Sequence, residues 1–298
     1  MSDDSLELTM LAQSWQLSLR ARNMSKETLR AYAMSVTTFT RWCADTGARA
    51  ELTRAAVEAY LSAQLDAGAS AATARLRLAA LQQFAGWCHE EGEIADNELK
   101  GIKTPKIDRT VTPALSAEQL RALLATCRAA GPINARDAAL IRFMAETGTR
   151  AAETTALALT DVDVTGGTAI VHRGKGAKGR IVPFGAQTAA ALDKWIRARR
   201  TLDGGTAALW LSARGTALSY AGLSRALKAR ADQANIAGFH LHVLRHTAAT
   251  RWLAAGGSEQ GLMAVAGWTS REMLDRYTSA STSQRAVAES RGLNLGDL

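Results

Sequence analysis

No stretch of about eighteen consecutive apolar residues occurs in the 298-residue chain, so no helix is expected to span a membrane. The opening Met1-Ser2-Asp3-Asp4 is acidic and lacks the basic-then-apolar order of a secretory leader, which predicts a cytoplasmic protein. There are only three cysteines, Cys43, Cys88 and Cys127, widely spaced among apolar residues. An odd number so placed argues against a disulfide framework and predicts buried free thiols in a reducing compartment. Internal repeats and low-complexity tracts are absent. The turn Gly174-Lys175-Gly176 lacks the GxxxxGK[ST] spacing of a nucleotide-binding loop. His242 and His246 have the i, i+4 spacing of a zinc pair, but no third ligand is evident. No cofactor and no metal are therefore expected.

Positive charge is what the chain does have. Its net charge is +8 and its pI about 9.7, with a mean hydropathy of −0.09. The first 110 residues hold 13 Lys and Arg against 14 Asp and Glu, leaving 23 against 14 in the remainder. A basic excess confined to one part of the chain suits a polyanionic partner, DNA or RNA, because phosphate neutralisation dominates such affinities.

The first hundred residues read as four amphipathic helices. Leu8, Leu11, Trp15 and Leu19 mark the first. The second runs from a cap at Ser25 through Leu29, Tyr32, Val36, Phe39 and Trp42 to Gly47. Thr53 opens a third, with Val57, Tyr60, Leu61 and Leu65 inward, closed by Gly68. Ser70 opens a fourth, carrying Leu78, Leu81, Phe84, Trp87 and Cys88, closed by Gly92. The stretch from Lys100 to Pro113 holds two of the four prolines and little apolar bulk, as a linker does. Ser116-Ala117-Glu118-Gln119 is a capping-box signature. Helices are expected near Leu120–Ala129, Arg136–Thr147, Ala186–Arg200, Ser219–Ala234, His242–Ala255 and Glu259–Ala266, with a short one at Ser283–Arg291. Thr168–His172 and Arg180–Pro183 flank a glycine-rich turn and predict a β-hairpin. The expected division is 1–100, a linker at 101–113, and 114–298.

Chemistry-bearing residues of the second part fall in a definite order. Thr147-Gly148-Thr149-Arg150-Ala151-Ala152-Glu153 points Arg150 out of a tight glycine-containing turn, and Lys175 sits on the hairpin tip. His242 and Arg245 lie three apart, on one helix face. Gly267-Trp268 follows, then Tyr277 in a polar segment. A phenol with a pKa of about 10 needs cations and a proton acceptor close by to attack at neutral pH. This ordered set resembles the signature of the tyrosine recombinase (phage integrase, Xer-like) family. The resemblance covers the whole second part, and the four-helix first part is similar to the SAM-like core-binding domain of that family.

The resemblance implies a mainly α fold. A core-binding domain would be joined to an α-rich catalytic domain with a small antiparallel sheet, the DNA breaking-rejoining fold. It implies that Tyr277 attacks a phosphodiester to give a 3′-phosphotyrosyl link, that Arg150 and Arg245 hold the non-bridging oxygens, and that Lys175 protonates the leaving 5′-oxygen. His242 would accept the tyrosine proton. Trp268 stands where many relatives have histidine and can only donate, and Glu153 would orient the site. The implied partners are double-stranded recombination sites, further copies of the chain as a dimer on each site and a tetramer in the synapse, and an accessory directionality factor. The tail with Leu293 and Leu295 would dock on a neighbouring subunit. A chain opening on core-binding helices implies no arm-binding domain and leans toward integration and excision of a mobile element. The alternatives are a Xer-like resolvase, a type IB topoisomerase-like activity, and a catalytically silent DNA-binding regulator.

Overall fold

The computed structural model describes residues 3–106, 114–172, 179–202, 205–270 and 274. By internal contacts the chain separates into two units, Met1–Arg109 and Thr110–Leu298. The architecture is mainly α with one small antiparallel sheet, as the family resemblance implies.

The first unit consists of α1 (Asp3–Ala21), α2 (Lys26–Thr46), α3 (Arg54–Asp66) and α4 (Ala71–Glu90). Hydroxyls start three of them: Ser25, Thr53 and Ser70 each accept the backbone N–H three residues on. Such caps satisfy one of the otherwise orphaned N–H groups of the first turn. Gly47 ends α2 in the left-handed region, at φ 71°. The inward stripes meet in one core, where Trp15 stacks on Tyr32 and Phe39 meets the edge of Tyr60. The Tyr60 hydroxyl is satisfied by a 2.8 Å hydrogen bond with Thr38 Oγ1. Leu65 departs from expectation. It is 40% exposed, because it sits in the last turn of α3 beyond the stripe that Val57, Tyr60 and Leu61 present to α4.

The second unit holds α5 (Ala117–Ala125), α6 (Pro132–Thr147), α7 (Ala151–Ala156), β1 (Val162–Asp163), β2 (Thr168–Val171), β3 (Arg180–Pro183), α8 (Ala186–Ala198), α9 (Tyr220–Gln233), α10 (Leu241–Ala254) and α11 (Glu259–Ala266). The capping box at Ser116 and Gln119 forms in full. Strands run in the order β1-β2-β3, all antiparallel, with Ala169 opposite Val182 and Ile170 opposite Ile181. Ala169, Val171 and Val182 face the core while Ile170 and Ile181 face out. Helix α6 is the centre of this unit. Leu140, Ile141, Phe143 and Met144 are all buried, packed with Trp195 of α8 and with Trp210. A buried ionic group braces its start: Asp137 accepts from Arg136 and from Arg230 of α9, and Arg230 also donates to Thr126 O and Asn134.

All three cysteines are free and buried. Burial raises the thiol pKa of each, and pushes Cys88 to about 12. Among the described residues no helix is long and apolar enough to cross a membrane.

Candidate active site

The site begins where α6 stops. Gly148 takes the left-handed conformation, φ 63°, which lets the chain reverse at the end of α6. Three buried hydroxyls fix the turn: Thr147 Oγ1 donates to Phe143 O at 2.7 Å, Thr149 pairs with Thr147 and Thr154, and Thr154 Oγ1 donates to Arg150 O at 3.1 Å. The sequence predicts that Arg150 projects from a loop. Arg150 closes that turn and is also the N-cap residue of a six-residue helix, α7, too short to show a hydrophobic period. Its backbone N–H donates to Glu153 Oε2 at 2.8 Å and its NH1 to Glu153 Oε1 at 3.0 Å. The Arg150 side chain is 45% exposed, whereas Glu153 is 14% exposed.

Glu153 has a second cationic partner that sequence reasoning misses. Arg180, the first residue of β3, donates NH1 to Oε1 at 2.9 Å and NH2 to Oε2 at 2.7 Å, while its Nε donates to Val265 O at 2.7 Å. Burial acts to raise the Glu153 pKa, but hydrogen bonds and charge from Arg180 and Arg150 outweigh it and hold the carboxyl at about 2. The partners of Arg180 lie 27 and 85 positions away in the chain. Only the strand carrying it is visible in the sequence.

Arg245, on α10, is the other deep cation, 2% exposed. Its NH1 donates to Gly148 O at 2.5 Å and its NH2 to Ala266 O at 2.8 Å, and its Cζ lies 5.3 Å from the ring centroid of Trp268. Trp268 is itself buried, its indole nitrogen included. The ring packs with Ala249, Leu253, Leu262, Ala266 and Leu274. One turn before Arg245, His242 is exposed, and its ring meets that of His246 edge-on with centroids 4.9 Å apart.

The C-terminus of α11 joins these parts. Gly267 N–H and Trp268 N–H turn back to Ala264 O and Met263 O, with Gly267 at φ 66°. That is a Schellman closure, satisfying two of the last carbonyls. The next two, Val265 O and Ala266 O, accept from Arg180 and Arg245. Two guanidiniums at the negative end of a helix are also favourably placed by its dipole.

Of the six residues singled out from the sequence, Arg150, Arg245 and Trp268 are thus joined through the Gly148 turn and the end of α11, with His242 one turn from Arg245. Lys175 and Tyr277 lie outside the described residues, as does the tail with Leu293 and Leu295. Leu274, three positions before Tyr277 in the sequence, is buried against α10 and α11. His172, at the end of β2, holds Asp161 through a 2.7 Å Nε2–Oδ1 contact. Among the described residues no three His, Cys, Asp or Glu side chains are grouped to hold a metal.

Known proteins share this organisation. The family model for "Phage integrase family" matches residues 113–284, and that for "Phage integrase, N-terminal SAM-like domain" matches residues 12–92. Tyrosine recombinase XerC 2 of Ralstonia nicotianae is 31% identical over 93% of this chain and 83% of its own length. Tyrosine recombinase XerC of Mycobacterium tuberculosis is 33% identical, over 89% of this chain and 92% of its own. Among solved structures, XerH bound to a palindromic difH substrate superposes with a TM-score of 0.75 at 22% identity, covering 97% of this chain and 85% of that one. A lambda integrase tetramer on a Holliday junction gives 0.69 at 17%, covering 88% and 77%. The chain belongs to the phage integrase family, the tyrosine recombinases.

Proposed function

We propose that this protein is a site-specific DNA recombinase of the Xer type, which cuts and rejoins duplex DNA through a 3′-phosphotyrosyl intermediate. The observation that carries this reading is that Arg245 and Trp268 meet at the end of α11, to which Arg150 is linked through Glu153 and Arg180, in a chain similar to XerC proteins over most of its length. The Tyr277 oxygen attacks the scissile phosphorus and its proton passes to His242. The bond to the 5′-oxygen breaks, and Lys175 protonates that oxygen as it leaves. Arg150 and Arg245 stabilise the charge on the non-bridging oxygens of the pentacoordinate transition state. The phosphodiester energy is conserved in the new link, so a 5′-hydroxyl from a second strand reverses the chemistry without ATP.

Residues 1–100 serve as the core-binding domain, 101–113 as a basic linker and 114–298 as the catalytic domain. The partners are double-stranded recombination sites and further copies of the chain, a dimer on each site and a tetramer at the junction, in the cytoplasm. Such assemblies appear among the solved relatives, a lambda integrase dimer on a core site and a tetramer on a Holliday junction.

The test is covalent capture. The protein is incubated with fragmented genomic DNA of its source, adducts that survive denaturant are isolated, and the attached DNA is sequenced. One chromosomal inverted-repeat site supports the Xer reading, and paired sites flanking a mobile element would replace it with integration. Adducts at unrelated sequences together with plasmid relaxation would indicate a topoisomerase, and no adduct a silent regulator. Tyr277→Phe removes only the hydroxyl and is expected to abolish adducts while leaving noncovalent binding intact.

A further inference from the structure

Resting on the recombinase reading, we propose that Arg180 is a positioning residue for strand cleavage: by gripping Glu153 from the buried side it keeps the Arg150 guanidinium available to the scissile phosphate.

Two guanidiniums share one carboxylate. Arg180 takes both Glu153 oxygens, one on each terminal nitrogen, at 2.9 and 2.7 Å, and its side chain is only 9% exposed. Arg150 comes to the same carboxylate from the solvent side through a single nitrogen at 3.0 Å, with 45% of its side chain exposed. Among the described residues that is the only side-chain hydrogen bond Arg150 makes. The group of three carries a net +1, and the exposed member is the one facing an incoming anion. A carboxylate and a guanidinium left alone form a two-pronged, neutral pair. Without Arg180, Glu153 would be free to pair with Arg150 in that way, turning its fork inward and cancelling the charge a phosphate needs.

Arg180 is itself held from outside this group. Its Nε donates to Val265 O in the last turn of α11. A Cβ on Gly267 would lie 3.0 Å from its Cζ and NH1, so the bare glycine makes the slot in which the guanidinium sits. Arg180 also opens β3, and in the sequence it comes five positions after Lys175. One side chain therefore ties the strand after the proposed general acid to the residue that orients a proposed phosphate ligand.

The experiment measures the rate of covalent trapping on a suicide duplex carrying the captured site, with wild type, Arg150→Ala, Arg180→Ala, Glu153→Gln and the double variant Arg180→Ala/Glu153→Gln. A misplaced guanidinium slows cleavage by roughly 10- to 100-fold, the range expected when a transition-state ligand is displaced by about an ångström. Arg180→Ala is expected in that range, with noncovalent DNA affinity within about 3-fold of wild type. The deciding readout is rescue. The Glu153→Gln change leaves a neutral amide that competes poorly for Arg150, so the double variant is expected to trap at least about 5-fold faster than Arg180→Ala alone. A merely structural role would restore stability as well, because Glu153→Gln removes the buried carboxylate that Arg180→Ala leaves unpaired. Trapping is therefore compared at a temperature where melting curves show every variant fully folded; there a structural role predicts equal rates for the single and double variants.

Trapping by Arg180→Ala at the wild-type rate, or a double variant no faster than the single, overturns the proposal. Should Arg180→Ala lose its melting transition, Arg180→Lys carries the test: an ammonium keeps the charge without the two-pronged grip. A rate between those of wild type and Arg150→Ala then supports the proposal, and the wild-type rate overturns it. If wild type forms no adduct, the recombinase reading itself has failed; adducts from wild type but not from Arg150→Ala leave that reading intact whichever way Arg180 falls.

Discussion

Glu153 is the residue on which the site's electrostatics turn. Its carboxyl pKa falls from an ordinary 4.5 to about 2 in the folded chain. An acid whose pKa is depressed by folding contributes stability above its unfolded pKa and loses it as pH drops toward the folded one. The contribution is on the order of 3 kcal/mol at neutral pH, from about 1.4 kcal/mol per pKa unit. Glu153→Gln should therefore be clearly less stable than wild type in urea unfolding at pH 7. That gap should close between about pH 4.5 and pH 2, where the wild-type carboxyl takes up its proton; a gap constant with pH would mean the carboxylate charge contributes nothing. The two proposed phosphate ligands should also separate. Arg245 is buried and its removal strips hydrogen bonds from Gly148 O and Ala266 O, so Arg245→Ala is expected to cost roughly 2–4 kcal/mol as well as activity. Arg150 is exposed and bonded to one side chain, so Arg150→Ala should cost less than about 1 kcal/mol while abolishing cleavage. Equal losses on chemical unfolding would contradict this division between a ligand built into the fold and one placed upon it.

At the scale of elements, α11 matters for where it ends. Its last four carbonyls are all engaged, two by the chain's own reversal and two by arginines from β3 and α10. Gly267→Ala would put a side chain at φ 66° and against the Arg180 guanidinium at once. The left-handed conformation alone costs an alanine about 1–2 kcal/mol, and displacement of Arg180 is expected to slow covalent trapping too. A variant that melts lower yet cleaves at the wild-type rate would show that the slot can widen without consequence for Arg150. Much of this architecture is legible in the sequence. Ser25, Thr53, Ser70 and Ser116 announce their helices because capping is local chemistry, and the β2–β3 hairpin announces itself through its β-branched runs. Helix α7 escapes notice because six residues carry no period. Strand β1 does so because two residues form a strand only by pairing with β2. Arg150 and Arg245 can be named from the order of residues. Arg180 cannot, since an arginine at a strand's edge looks like solvated surface until α7 and the end of α11 come in from distant parts of the chain.

For the whole molecule, charge and cores divide unequally. Each unit buries its own apolar cluster, one around Trp15, Phe39 and Phe84, the other around Phe143, Trp195 and Trp210. The positive excess lies wholly in the second, +9 against −1 in the first 110 residues. Counterion release makes the slope of log affinity against log salt proportional to the phosphates neutralised. A fragment of residues 114–298 is therefore expected to bind duplex DNA with a markedly steeper salt dependence than residues 1–106. Comparable slopes from fluorescence anisotropy would mean that the local placement of basic residues in the first unit counts for more than net charge.

The three buried thiols have a practical corollary. With Cys43, Cys88 and Cys127 all sheltered and Cys88 shifted to about 12, the native chain is expected to react only slowly with maleimides. A single cysteine introduced at an open position such as Tyr220 should take a fluorophore selectively. Synapsis between differently dyed copies could then be watched by energy transfer, without first stripping the protein of its own sulfur.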